Sequence, residues 1–368
     1  MTVKVIQASE EFFQLRDEWN GLLESSASRC VFLTHEWLST WWKHLSAERK
    51  LSIVTVCDSG KLIGILPLVI RTPQYRRMMP RLAEFIASGV IGSDYLDAIV
   101  ESGREREVLG AFSGELCRWG LMLQLSQLRG EGSIVAGLPQ ILAQDGWLAF
   151  GARINVCPFI DLSNHSWDTY LGTLSSSQRY NYNRRLRTLQ KTFDLRLDDV
   201  RLARDAESAL NVVITLHRKR WGSIGNSEAF QTAAVTAFHR EFVQLAGAQG
   251  WLRLLILSLN DVPVAALYGL RYGSTFYFYQ SGFDPAYSRY SVGLVMMGLA
   301  IKTAIQDGAS EYDLLHGDEE YKFHWAHNQR ELSRLELHPP DTCARVYRHA
   351  IDLNRAARRM ARSVLNKA

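Results

Sequence analysis

The sequence predicts an α/β protein in which mixed central sheets are flanked by helices, an arrangement that occurs twice in tandem. Three observations predict it. Strand-, helix- and strand-like segments follow one another at 95–129 and again at 274–315, the order of layered α/β folds. Hairpins of similar construction stand at 51–71 and 252–271, each a β-rich run, a short polar turn containing Asp, and a returning run with small residues and Leu. A chain of 368 residues also exceeds what one ordinary core accommodates.

In chain order, Phe12, Leu15, Trp19, Leu22 and Leu23 recur at helical spacing, and Thr34 is placed to cap a second helix through HEWLSTWWKHL. LSIVTV at 51–56 and LIGILPLVI at 62–70 read as a hairpin around CDSGK. Pro67 cannot donate to a ladder, so it marks an edge or bulge in the returning run. A strand is expected at 95–100, a helix at 104–119 and a strand at 121–129. Residues 175–191 read as a serine-capped basic helix. Strands follow at 252–259, 262–272 and 274–283, with Asn260-Asp261 as the first turn. A helix over 293–306 ends near Gly308, and strands at 310–315 and 331–337 complete the second unit. The boundary between the units falls near Asn155.

Bulk properties narrow the function classes. A net charge of +4 permits anionic ligands but lacks the concentrated basic face of a nucleic-acid binder. Cys30, Cys57, Cys117, Cys157 and Cys343 are odd in number, scattered and without a CxxC pair, which argues against a disulfide framework or a zinc site. The N-terminal stretch has no signal-peptide apolar run, and no segment approaches the ~20 apolar residues of a membrane span. Reduced thiols and a cytoplasmic location are the expectation.

The densest group of unusual residues lies between Tyr277 and Trp325. The aromatic strand FYFYQSGF leads into a loop, SRYSVG, that opens a helix. Such a loop presents unpaired backbone N–H groups and the positive end of the helix dipole, which suits an anion. Ser291 can cap, Gly293 permits close approach, and Arg289 adds a cation. The next strand, SEYDLL, ends in a polar turn that places Asp313, His316 and Asp318 beside the same cleft, with Lys322 following. The plainer alternatives are a structural histidine at 316, a solvated helix start at 318–320 and core packing for Tyr277, Phe278 and Tyr279.

The stretch YSVGLVMMGLAIKTAIQDGASEYDLLHGDEEYKFHW closely resembles the C-terminal signature of CelD-type acetyltransferases of the GNAT superfamily. Ser281, Gly282, Asp284, Gly293, Asp313, Gly317, Glu320, Tyr321, Lys322 and Trp325 carry the likeness. Arg179, Arg184 and Arg185 resemble the family's basic segment, and Trp19, Phe32, Trp37, Trp41 and the hairpin ending in GILPL resemble its first half. The resemblance covers roughly residues 5–335 and is similar in plan to the Fem-type aminoacyltransferases. It implies tandem GNAT-like (acyl-CoA N-acyltransferase) domains, a scaffold over 1–155 and a catalytic domain over 156–340; beyond them the residues themselves read as a basic helical tail over 341–368.

The implied reaction is transfer of an acyl group, acetyl first, from acyl-CoA to an amine on a small molecule or glycan, with a possible link to polysaccharide or cell-envelope biosynthesis. No permanently bound cofactor and no metal are implied, and acetyl-CoA acts as co-substrate. The donor would lie on Gln280, Ser281, Gly282, Arg289, Ser291, Val292 and Gly293. At 289–294 the final glycine of the family's Q/R-x-x-G-x-G/A pattern is absent, so an acyl carrier protein or an aminoacyl-tRNA stays open as carrier. Only the tRNA alternative would bring nucleic acid to the protein, and no Fem-like coiled-coil run stands in the sequence. His316 has the most suitable pKa for a general base; Asp313 or Glu320 acting through water is the alternative. Lys322 is assigned to an anionic group or to the oxyanion. A catalytically inactive GNAT module that binds a partner is the rival class.

From Val346 onward, Val346, Ala350, Leu353, Ala357, Met360 and Val364 form one apolar stripe among Arg345, Arg348, Arg355, Arg358, Arg359, Arg362 and Lys367. This tail reads either as packing against its own domain or as a basic amphipathic helix that touches an acidic partner or, weakly and salt-sensitively, an anionic membrane surface.

Overall fold

The computed structural model describes residues 1–71, 81–89, 91–130, 132–222 and 229–340. The basic tail from 341 and Cys343 lie outside the described residues.

The first half opens with β1 (Thr2–Ile6), α1 (Ser9–Gln14), α2 (Arg16–Glu24) and α3 (His35–Leu45). Thr34 caps α3, its hydroxyl accepting the Trp37 amide. Next come β2 (Arg49–Leu51), β3 (Ile53–Asp58), β4 (Lys61–Leu66), β5 (Leu68–Arg71), β6 (Leu82–Phe85) and β7 (Ile99–Val100). The half continues through α4 (Glu105–Trp119), β8 (Met122–Arg129) and α5 (Leu138–Leu142) into β9 (Leu148–Asp161). The second half adds α6 (Trp167–Thr173), α7 (Ser176–Thr192), β10 (Leu195–Val200), α8 (Ala203–Gly222) and α9 (Ala233–Ala248). It then runs through β11 (Leu252–Leu259), β12 (Val262–Tyr272), β13 (Thr275–Phe283), α10 (Val292–Gln306), β14 (Glu311–Asp313), α11 (Glu320–Phe323) and β15 (Asn328–His338).

Among the described residues the strands form two sheets: an antiparallel one ordered β1-β3-β4-β7 and a mixed one ordered β10-β11-β12-β13-β14-β9-β15-β8-β6-β5-β2. The topology repeats. In the second half a hairpin, β11–β12, precedes a parallel pair, β13–β14, that is bridged by helix α10. In the first half the hairpin β3–β4 precedes the parallel pair β6–β8, bridged by α4. Both sheets are flanked by helices, as the sequence predicts.

Pro67 does more than mark an edge. With no N–H to give, it breaks the returning run into β4 and β5, which enter different sheets. The strand expected at 95–100 shrinks to β7 because its polar side chains are committed elsewhere. Asp97 accepts the amides of Ala98, Ile134 and Val135, and Tyr95 takes a left-handed conformation with φ 59°.

The halves are sewn together. Position 155 lies inside β9, a 14-residue strand paired with β14 on one edge and along its length with β15. β15 pairs in turn with β8 of the first half, which makes the long sheet continuous. A shared core adds to this: Trp37 of α3 meets Phe238 and Phe242 of α9 edge-on, with ring centroids 5.0 and 4.7 Å apart. Every residue of β11 is buried, Arg253 and Ser258 included, which explains its near-continuous apolar run: helices cover both faces of the sheet there.

Candidate active site between the diverging strands

β13 and β14 pair only where Thr275–Tyr277 meet Glu311–Asp313. Beyond Asp313 the chain follows β9 instead, with the amides of Leu314 and Gly317 bonding the carbonyls of Pro158 and Val156. β13 runs on alone along that edge to Phe283. Two cavities occupy the opening, and they share Arg220, Phe278, Ser281 and Tyr321.

The first cavity, about 310 Å³, lies against the start of α10. Ser281, Gly282, Ser291, Val292 and Gly293 line it, and Phe278, Met296, Met297 and Trp325 form its apolar end. Ser291 occupies the N-cap position in a left-handed conformation, φ 57°, and its hydroxyl caps nothing. The expected serine cap is therefore absent, and the first-turn amides carry no side-chain partner at the cap. Arg289 does not line this cavity. Its guanidinium lies 4.7 Å from the Tyr290 ring centroid and donates to the Tyr290 hydroxyl at 2.9 Å. Gly282 has a packing reason to be glycine: a Cβ there would overlap the α8 backbone at Leu216 and His217.

The second cavity, about 410 Å³, lies between the halves, with Ile91 and Gly92 on one side and Tyr279, Gln280 and His316 on the other. Asp94, fully buried, accepts the main-chain N–H of His316 and its Nδ1, both at 2.9 Å. A carboxylate only accepts, so Nδ1 carries the proton and Nε2 is the nitrogen left to face the cavity. The Asp94 charge raises the His316 pKa above its usual 6.5, against the opposing effects of burial and Lys322.

The other expected polar groups surround this dyad without joining it. Asp313 lies in the core and lines neither cavity. It accepts from Tyr95 Oη at 2.7 Å, the Leu315 amide at 2.8 Å and Arg330 at 3.2 Å. Burial pushes its pKa up to about 6, against the pull of Arg330. Lys322 is buried; its Nζ donates to the carbonyls of His316 at 2.6 Å and Leu315 at 3.2 Å and pairs with Glu319 at 3.0 Å. It thereby ties down the turn that carries His316, where Gly317 at φ 126° leaves no room for a side chain between Glu319 and Lys322. Glu320 points into solvent, 3.9 Å from His324.

Four groups at the cleft were not foreseen. Asp94 sits beside a run read as a strand. Arg220, in the basic string His217-Arg218-Lys219-Arg220, borders both cavities and reaches Ser281 Oγ at 3.4 Å. His217 and His239 border the second cavity, and burial lowers them to about 4 and about 3. A wider depression of about 650 Å³ on α8 and α9 touches none of the expected residues. No group of three His, Cys, Asp or Glu among the described residues has metal-holding geometry. No helix among them is long and apolar enough to cross a membrane.

Residues 176–323 match the acetyltransferase (GNAT) domain family. That span holds β13, α10, β14 and both cavities' main walls. No curated protein sequence matches the chain. Among solved structures the chain is similar to FemX, with 11% identity over 95% of this chain and 99% of that one and a TM-score of 0.62. It is also similar to L-PGS from Bacillus licheniformis, with 9% identity over 89% and 92% of the two chains and a TM-score of 0.54. The C-terminal domain of a putative lysylphosphatidylglycerol synthetase from Agrobacterium fabrum is similar at 10% identity over 94% and 97%, with a TM-score of 0.53. At such identities the likeness is one of fold, shared over nearly the whole chain, and the acetyltransferase (GNAT) domain itself is matched over residues 176–323.

Proposed function

We propose that the protein transfers an acyl group, acetyl first, from acyl-CoA to an amine. The first cavity takes the donor and the second the acceptor. The observation that carries the reading is the Asp94–His316 dyad facing one cavity, which meets the other at Ser281. The α10 N-terminal amides, with the dipole behind them, receive the donor's pyrophosphate, and the apolar end takes its pantetheine arm. The amine nitrogen attacks the thioester carbonyl. A C–N bond forms, the C–S bond breaks through a tetrahedral oxyanion, and the thiolate leaves. His316 Nε2 takes the proton released by the amine and passes it to the departing thiolate. On this reading the oxyanion is held by backbone N–H groups on the edge of β13 beyond Tyr277, where pairing with β14 has ended. Lys322 and Asp313 act as positioning residues for the His316 turn, and Glu320 has no part. Residues 1–155 supply Asp94 and one wall of the acceptor cavity, within a scaffold role.

A second reading keeps the chemistry and changes the carrier to aminoacyl-tRNA. It is favoured by α7, where Arg179, Arg184, Arg185, Arg187 and Lys191 face no acidic residue of their own helix and form no ion pair among the described residues. The first turns of α7 line a further cavity of about 490 Å³, which shares Leu294, His324 and Trp325 with the donor cavity. Calorimetry with acetyl-CoA tests the choice. Saturable binding that Gly293→Asp weakens supports the first reading. No binding to the folded wild type, with aminoacyl-tRNA bound instead, replaces it by the second.

A further inference from the structure

His239 is 2% exposed, borders the acceptor cavity, and its buried Nδ1 has no hydrogen-bond partner among the described residues. A buried polar group left without a partner is costly, so such groups are rare unless something else satisfies them. Burial holds its pKa down to about 3, so at working pH the ring is neutral. It therefore offers one donor and one acceptor to an uncharged partner rather than a charge to an anion.

The surrounding wall limits what that partner is. Trp221, Phe278, Tyr279 and Tyr321 bring aromatic surface to a space of about 410 Å³, the size of a small ring-shaped ligand with room to spare. Gln280, which hydrogen-bonds His217, adds a second uncharged polar group. Charges at the cavity are poorly suited to a permanent ammonium. Glu319 is paired with Lys322 and Asp94 with His316, while Arg220 borders the same space. A strongly basic amine would meet Arg220 and no unpaired carboxylate among the described residues, and it would have to lose a proton before attack. An amine weakened by neighbouring electronegative oxygens gives up that proton far more readily.

We propose that the acceptor is a weakly basic amine on a polyhydroxylated ring, an amino sugar, and that His239 is the specificity-determining residue that reads one of its hydroxyls. This rests on the acyl-transfer reading for the assignment of the second cavity to the acceptor. The aromatic faces pack against the ring's C–H surface, His239 bonds a hydroxyl, and the amine lies toward His316 Nε2.

The test is calorimetry of the full chain in the presence of CoA, with glucosamine, lysine and cadaverine as probes. It compares wild type with His239→Phe, which keeps the ring and removes both nitrogens, and His239→Gln, which keeps hydrogen-bonding capacity. Thermal melts establish that each variant is folded. The expected result is glucosamine binding at least about tenfold tighter than lysine or cadaverine, weakened about tenfold or more in His239→Phe and partly restored in His239→Gln. Equal glucosamine affinity in wild type and His239→Phe overturns the proposal, as does lysine or cadaverine binding as tightly as glucosamine. Acetyl-CoA titrations are run separately. Donor binding without glucosamine binding overturns this inference and leaves the acyl-transfer reading standing; glucosamine binding without donor binding overturns that reading instead.

Discussion

Asp94 and His316 stand 222 positions apart in sequence, yet the Asp94 carboxylate lies 2.9 Å from both the main-chain nitrogen and the Nδ1 of His316. Two bonds to one residue fix the turn and the ring together. The ring cannot flip without losing the charged partner, so Nε2 stays aimed at the cavity. Under the proposed reaction, the first half thus holds the base in place through Asp94 while serving as scaffold.

Removing this partner should change a pH profile, not only a rate. His316 acts as base only when neutral, so kcat/KM should rise with pH through its raised pKa, placing the acid limb above 6.5. In Asp94→Asn the negative charge is gone, the pKa falls, and the limb should move to lower pH while turnover drops. His316→Ala should cost roughly two to four orders of magnitude in kcat. An acid limb that stays in place in folded Asp94→Asn would show that another group titrates.

Gly293→Asp separates helix stability from donor binding. Position 293 is the second residue of α10, where an acidic side chain favours the helix dipole. A Cβ there meets only the Phe283 ring, at 3.3 Å. The melting temperature should hold or rise slightly, while the carboxylate repels the donor's phosphates and acetyl-CoA affinity falls about tenfold or more. Unchanged acetyl-CoA affinity in that variant would remove the α10 N-terminus from the donor site.

Local chemistry was legible in the sequence. The loop opening α10, the Ser175 cap of α7 and the hairpins depend on residues within a few positions of each other, and the structure has them. Three kinds of feature were not legible. Asp94 acts through a partner more than two hundred residues away, and no spacing rule joins them. β9 has mostly exposed side chains over Leu148–Ile154 and no clear alternation; pairing with β15 holds it, which sequence patterning does not report. α8 buries Ala206, Leu210, Val213, Ile214 and His217, so its apolar face is broad, small at one end and polar at the other. Arg220 rides on that helix and stayed hidden with it.

Tyr95→Phe should reveal what Asp313 does. The Tyr95 hydroxyl donates to Asp313 Oδ2 at 2.7 Å across the joint between the halves, and Asp313 is 1% exposed. Loss of a buried bond to a charged group is worth roughly 1–3 kcal/mol. Urea unfolding should shift by that amount, with acetyl-CoA affinity retained because neither residue borders the donor cavity. An unchanged midpoint would mean that Arg330 and the Leu315 amide alone satisfy Asp313. A lost donor affinity at full stability would return Asp313 to the site.

Gly282→Ala distinguishes two reasons for a glycine beside the donor. Gly282 borders the donor cavity, where small size suits the close approach of a ligand, but its missing side chain also faces the α8 backbone. The atoms that a methyl group would overlap are the Leu216 carbonyl carbon and the His217 nitrogen and Cα, none of which can rotate away as a side chain can. Relief requires α8 to shift from β13, and Arg220, one helical turn beyond His217, shifts with it. Overpacking of this kind costs roughly 1–3 kcal/mol or more. The melting temperature of Gly282→Ala should therefore fall, while Gly293→Ala, whose new methyl meets only an adjustable ring, should melt near wild type. A Gly282→Ala protein with wild-type stability and weakened acetyl-CoA binding would mean that the glycine serves the ligand alone and that α8 has slack against the strand.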